Sequence, residues 1–194
     1  MAGPEIKPHI LIVEARFYED IAEELMKGAV AALSEAQVTH DRLPVPGAFE
    51  IPAAIRMAVR AMHFHPHRRR YDGYVALGCV IRGETTHYDH ICEESARGLQ
   101  NLALEFTLAI GYGILTVENE AQAWERAKID RKNKGGDAAR ACLAMIEAKL
   151  SAGNVDVSGR PPASEMTSGR SVMAMRSRIA EDVMTRVRAA KSPA

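Results

Sequence analysis

YVALGCVIRGETTHYD, residues Tyr74 to Asp89, decides the fold class. Tyr74 to Cys79 is an apolar run of strand length. Gly78 and Gly83 flank the turn that follows, and Gly83 to Thr86 reads as a loop. Thr85, Thr86 and His87 then open a long helix running to about Ala109. Thr86 with Asp89 three residues on resembles a capping box, with Asp in place of the usual Glu or Gln. A strand that passes through a glycine turn into a helix is the building unit of a parallel α/β sheet.

The same unit repeats outward in both directions. Upstream, His9 to Val13 (HILIV) reads as a buried strand, followed by a helix in which Ile21, Leu25, Ala29 and Leu33 share one face. Val38 to Leu43 reads as a second strand, ended by Pro44-Val45-Pro46-Gly47. Ile51 to Met62 is helical, with Pro52 tolerated in its first turn. Downstream come a strand from Gly113 to Val117, a short helix from Ala121 to Lys128 and a last helix from Gly135 to Leu150. The order β-α-β-α-β-α-β-α-α implies right-handed crossovers, a parallel sheet and helices on both faces. Ligands of such sheets bind outside the carboxyl ends of the strands.

Residues 1–150 hold all of this and are expected to form one α/β domain. Ser151 onward is rich in Ser, Gly and Pro, so 151–194 reads as a linker, with Ser171 to Ala190 able to form one more helix from Ile179, Val183 and Val187. The 194 residues carry 25 basic and 25 acidic side chains, a formal charge of zero that favours neither nucleic acid nor a membrane surface as partner. No apolar run approaches the roughly 20 residues of a membrane span. The opening MAGPEIKPHILIV lacks a signal-peptide layout, which leads us to expect a cytoplasmic protein. Cys79, Cys92 and Cys142 are scattered, as buried thiols of a reducing compartment are. No GxxxxGK[ST], GxGxxG, CxxC or HExxH pattern occurs, so neither a nucleotide-phosphate loop nor a metal is expected.

The segments able to carry chemistry all follow strands. Gly83, Glu84 and Thr85 precede a helix start, where exposed N–H groups and the helix dipole favour an anion. His87 stands beside them, able to take or give a proton near neutral pH; its ordinary reading is a histidine that packs at a helix start. In PGAFEIP (46–52), Gly47-Ala48 admits close approach, Phe49 is apolar and Glu50 can accept from a heterocycle's N–H groups. Phe17 can stack on a planar ring. Arg126 suits a phosphate, and Lys134, before Gly135-Gly136, can reach an anion. The run from His63 to Tyr71 (HFHPHRRRY), without a nearby carboxylate or cysteine, reads as a solvated loop rather than a metal site.

Six segments in this order resemble the 6,7-dimethyl-8-ribityllumazine synthase family: ARFYE (15–19), PGAFEIP (46–52), LGCVIRGETTHYD (77–89), GILTVEN (113–119), QAWERA (122–127) and NKGGDAA (133–139). The resemblance spans residues 9–150. It implies a flavodoxin-like three-layer sandwich on a four-stranded parallel sheet, here with a C-terminal extension that most members lack. It implies a cofactor-free condensation of 5-amino-6-(D-ribitylamino)uracil with 3,4-dihydroxy-2-butanone 4-phosphate, in riboflavin synthesis. By position, Phe17 is implied to stack on the pyrimidine, and Ala48, Phe49 and Glu50 to bind the uracil and ribityl chain. Cys79, Val80 and Ile81 match the backbone along the pyrimidine, while Glu84 and Thr85 with Arg126 match the phosphate site. His87 matches the proton donor and acceptor, and Lys134 a basic residue of the same pocket. Tyr112 matches a side chain that reaches in from a neighbouring subunit. The family's habit implies a homopentamer or an assembly of pentamers, up to icosahedral shells, with riboflavin synthase a candidate partner. The competing readings are a catalytically silent shell protein and a flavin-binding module of the same fold.

Overall fold

The computed structural model describes residues 8–64 and 71–153. The loop histidines and arginines at 65–70 and the helix expected from Ser171 to Ala190 lie outside the described residues. The chain divides into two units, Met1–Ile146 and Glu147–Ala194.

The strands are β1 (His9–Ala15), β2 (Thr39–Val45), β3 (Gly73–Ile81) and β4 (Ala109–Val117). The helices are α1 (Glu19–Glu35), α2 (Ile51–Phe64), α3 (His87–Phe106), α4 (Glu120–Ala127) and α5 (Lys134–Gly153), with a short 3-10 turn over Ala48–Glu50. The strands form one parallel sheet in the order β2-β1-β3-β4, with Ile10 opposite Gly73 and Gly73 opposite Ala109. β1 and β3 occupy the middle and are buried on both faces, which is why they read as unbroken apolar runs. Side chains alternate between two cores. Ile10, Ile12, Val75, Leu77 and Cys79 meet α1, α4 and α5 through Leu25, Ala127 and Ala139. Leu11, Val13, Tyr74 and Ala76 meet α2 and α3 through Ile55, Leu99 and Leu102.

Several boundaries differ from the sequence reading by a few residues, and three of them have a readable physical reason. β2 continues through Pro44, pairing it with Glu14, and ends at Val45. β2 is an edge strand, where a residue without an N–H can be accommodated. α3 stops at Phe106 because Thr107 adopts the left-handed conformation (φ 51°) as its C-cap. β4 therefore starts at Ala109, four residues before the expected Gly113. Gly111 and Gly113 look like breakers, yet a Cβ on Gly111 would overlap the Ala138 carbonyl, so the glycine there serves the close approach of α5. The expected capping box is also absent: the Thr86 side chain makes no cap bond, and Asp89 is turned toward Arg82.

Among the described residues, one carboxylate lies inside. Glu14 is 2% exposed near the end of β1. It accepts from Arg42 Nε at 3.0 Å and Nη2 at 3.2 Å, and from Arg16 Nη1 at 3.4 Å. Glu23 of α1 stands 3.7 to 3.8 Å from the same two guanidiniums.

Gly135 opens α5 directly against α1, where an added Cβ would overlap the Leu25 carbonyl. Gly135→Ala is expected to lower stability by about 1–3 kcal/mol, the usual cost of overpacking. Gly83→Ala meets nothing within 4 Å and should stay close to the parent. Chemical denaturation of both variants checks the difference.

Candidate active site

The carboxyl ends of β1, β2 and β3 open onto a cleft of about 640 Å³. The chain winds outward from β1 to β2 in one direction and from β3 to β4 in the other, so the cleft lies where the winding reverses. Each strand hands a different chemistry to it.

From β1 comes Phe17, 73% exposed, its ring edge-on to Tyr18 at 4.9 Å between centroids. From β2 come Pro46 to Glu50. Two prolines confine this segment, and the turn is closed by the Glu50 N–H donating to the Gly47 carbonyl at 3.3 Å. Ala48 is buried beneath it, while Phe49 and Glu50 stand exposed. From β3 come Cys79, Val80 and Ile81, then Gly83, Thr85 and the first turn of α3 with His87. The Arg82 N–H donates to the Val117 carbonyl at 2.9 Å, carrying the β3–β4 ladder one step beyond the strand. The His87 N–H lies 3.4 Å from Thr85 Oγ. The 20-residue α3 directs its positive end at this loop.

Eleven residues singled out in the sequence thus share one cleft: Phe17, Gly47, Ala48, Phe49, Glu50, Cys79, Val80, Ile81, Gly83, Thr85 and His87. Glu84 is exposed on the loop between two lining residues but does not itself line the cleft. Tyr18, Tyr88, His90 and Ile91 also line it and were not anticipated. Projecting α3 from His87 would have found His90 and Ile91, because a helix places i, i+3 and i+4 on one face.

Tyr112, Arg126 and Lys134 are not among the residues that line the cleft. Tyr112 is 45% exposed on β4, at the far edge of the sheet. Arg126 lies on α4 and donates to its own helix at the Gln122 carbonyl, 3.1 Å away. Lys134 pairs with Asp137 at 2.9 Å, and Arg140 pairs with the same carboxylate at 2.8 Å. Burial raises the Asp137 pKa, but the bonds to Arg140 and Lys134 outweigh it and hold the group below its usual range. Arg126 and Lys134 are thus engaged within their own helices, away from the cleft lining.

The thiols offer no nucleophile. Burial pushes Cys79, in the cleft wall, up to about 12, and does the same to Cys142. Among the described residues no cluster of His, Cys, Asp and Glu could hold a metal, and no helix is long and apolar enough to cross a membrane. What the cleft offers is an exposed aromatic ring, an apolar strand end, a carboxylate and a histidine beside a helix N-terminus.

Known proteins match this chain over the same region. The family model for 6,7-dimethyl-8-ribityllumazine synthase matches residues 7–149. A protein of that name from Bartonella tribocorum is 59% identical over 143 residues, covering 74% of this chain and 91% of its own. One from Agrobacterium fabrum is 56% identical over 147 residues, covering 76% and 98%. The 6,7-dimethyl-8-ribityllumazine synthase 1 of Rhizobium meliloti is 57% identical over 146 residues, covering 75% and 94%.

With thiol pKa values near 12, Cys79 and Cys142 should resist iodoacetamide in the native protein at pH 8 and react fully once it is unfolded. Mass spectrometry of the labelled peptides reads this, and rapid native labelling of Cys79 would contradict its burial.

Proposed function

The chain belongs to the 6,7-dimethyl-8-ribityllumazine synthase family, and from that premise we propose which of its groups perform the reaction. It is a transferase of riboflavin biosynthesis that condenses 5-amino-6-(D-ribitylamino)uracil with 3,4-dihydroxy-2-butanone 4-phosphate. The 5-amino nitrogen adds to the ketone and water leaves, giving a Schiff base. Phosphate is eliminated, and ring closure with loss of a second water gives the lumazine. The steps are proton transfers plus departure of an anion. They call for positioning, an acid–base group and a cradle for the phosphate.

The observation that carries the assignment is His87 at the start of α3, in the same cleft as Phe17 and the 46–50 segment. Phe17 stacks on the pyrimidine. Ala48, Phe49 and Glu50 hold the uracil and ribityl chain, with Cys79, Val80 and Ile81 along the other edge. His87 moves the protons. Glu84 and Thr85, at the positive end of α3, receive the phosphate of the four-carbon substrate.

Arg126, Lys134 and Tyr112 reach such a site from an adjacent copy of the chain. Their absence from the cleft lining, together with the exposure of Tyr112, supports this reading. The working unit is then a ring of chains, a pentamer by the family's habit, with icosahedral assembly of rings and contact with riboflavin synthase as extensions. A cytoplasmic location fits the same pathway. Residues 1–150 form the catalytic domain and 151–194 an appendage. The family match ending at residue 149 supports that division, although α5 itself runs to Gly153.

Mixing the protein with both substrates should give lumazine absorbance faster than the uncatalysed mixture does. An equal rate would leave the silent-shell reading standing. His87→Ala should lower turnover by ~10–10⁴-fold, the range for lost acid–base help, and an unchanged rate removes His87 from the mechanism. Arg126→Ala should raise the KM for the phosphate substrate far more than for the uracil. Assembling His87→Ala chains together with Arg126→Ala chains should restore activity above either variant alone. No recovery would mean that both groups act within one chain.

A further inference from the structure

The start of α3 is weakly secured by its own sequence. Thr86 gives no side-chain cap, the bond from the His87 N–H to Thr85 Oγ is long at 3.4 Å, and Gly83 has open space around it. A proton-transfer group here needs its geometry fixed from elsewhere, because misplacement by about an ångström can cost ~10²-fold in rate.

Arg82 is built to do this. Its backbone is rooted by the bond to the Val117 carbonyl at 2.9 Å. Its Nε donates to Glu118 Oε2 at 2.8 Å, beyond the end of β4. Its Nη1 donates to Asp89 Oδ1 at 3.1 Å, in the first turn of α3. The guanidinium carbon lies 4.0 Å from the centroid of the Tyr88 ring, which itself lines the cleft. One planar cation therefore grips both residues that follow His87 and ties them to the neighbouring strand. Lys would keep the charge but lose the fork and the stacking face.

We infer that Arg82 is a positioning residue for His87, acting through Asp89 and Tyr88. The inference rests on the reading of His87 as the proton-transfer group. It predicts loss of turnover without loss of binding. Arg82→Ala and Arg82→Lys should each lower kcat by ~10–10²-fold while both KM values stay within about twofold. Asp89→Asn, which weakens the same link from the other end, should reproduce the effect. It also guards against an Arg82 variant that fails to fold, as read by circular dichroism. The decisive measurement is the double-mutant cycle: in a His87→Ala background, Arg82→Ala should cost nothing further. An equal loss in both backgrounds would make Arg82 merely structural and overturn the inference. So would a normal kcat in all three single variants. If His87→Ala alone leaves the rate unchanged, the His87 assignment fails, and Arg82 has nothing to position.

Discussion

A pair of strands buried on both faces obliges a chain to cover both, and β1 with β3 imposes that condition on this molecule. Alternate side chains of Ile10 to Val13 and of Tyr74 to Leu77 feed two separate cores. Each core needs its own helices, so α1, α4 and α5 take one side and α2 and α3 the other. Parallel pairing requires every crossover to return to the same end of the sheet. All the strand-to-helix turns therefore gather at one rim. The cleft is a by-product of that geometry, opening between β1 and β3, where the crossovers part.

The chemistry placed on this rim suits a reaction whose catalyst holds rather than attacks. Cys79 is in the wall but is kept protonated by burial, so the strand end presents an inert surface. Phe17 and Phe49 offer apolar area that a planar ring would cover. His87 is the acid–base group of the assignment, and the loop before it meets the positive end of a long helix. An amine adding to a ketone, and a phosphate leaving, need little more than such an arrangement.

Most of the fold was legible because β1 and β3 are apolar without interruption and α1 repeats with helical spacing. β2 was legible only in part. As an edge strand it is polar, and Pro44 looks like a stop until its edge position is known. β4 was read only from Gly113 because Gly111 resembles a breaker, and the packing of α5 against Gly111 explains why it is not one. In the site, PGAFEIP and GETTH announced themselves through proline, glycine and hydroxyl residues at element ends. Arg82 did not: its role is written in contacts to Asp89, Tyr88 and Glu118, and the last lies 36 residues away in sequence. Arg126 and Lys134 illustrate the opposite gap. Their residue type was readable, but their distance from the cleft belongs to tertiary structure.

Glu14 adds a safeguard to the assembly of the sheet. A carboxylate so deeply enclosed is acceptable only while Arg42 and Arg16 meet it, and leaving such a charge without a partner costs about 3–5 kcal/mol. Sliding β2 by one position along β1 would turn Arg42 to the opposite face of the sheet and leave Glu14 with Arg16 alone. The polar edge strand has little apolar pattern of its own with which to reject such an error. The buried ion pair supplies the rejection, by making the shifted alignment the costlier of the two.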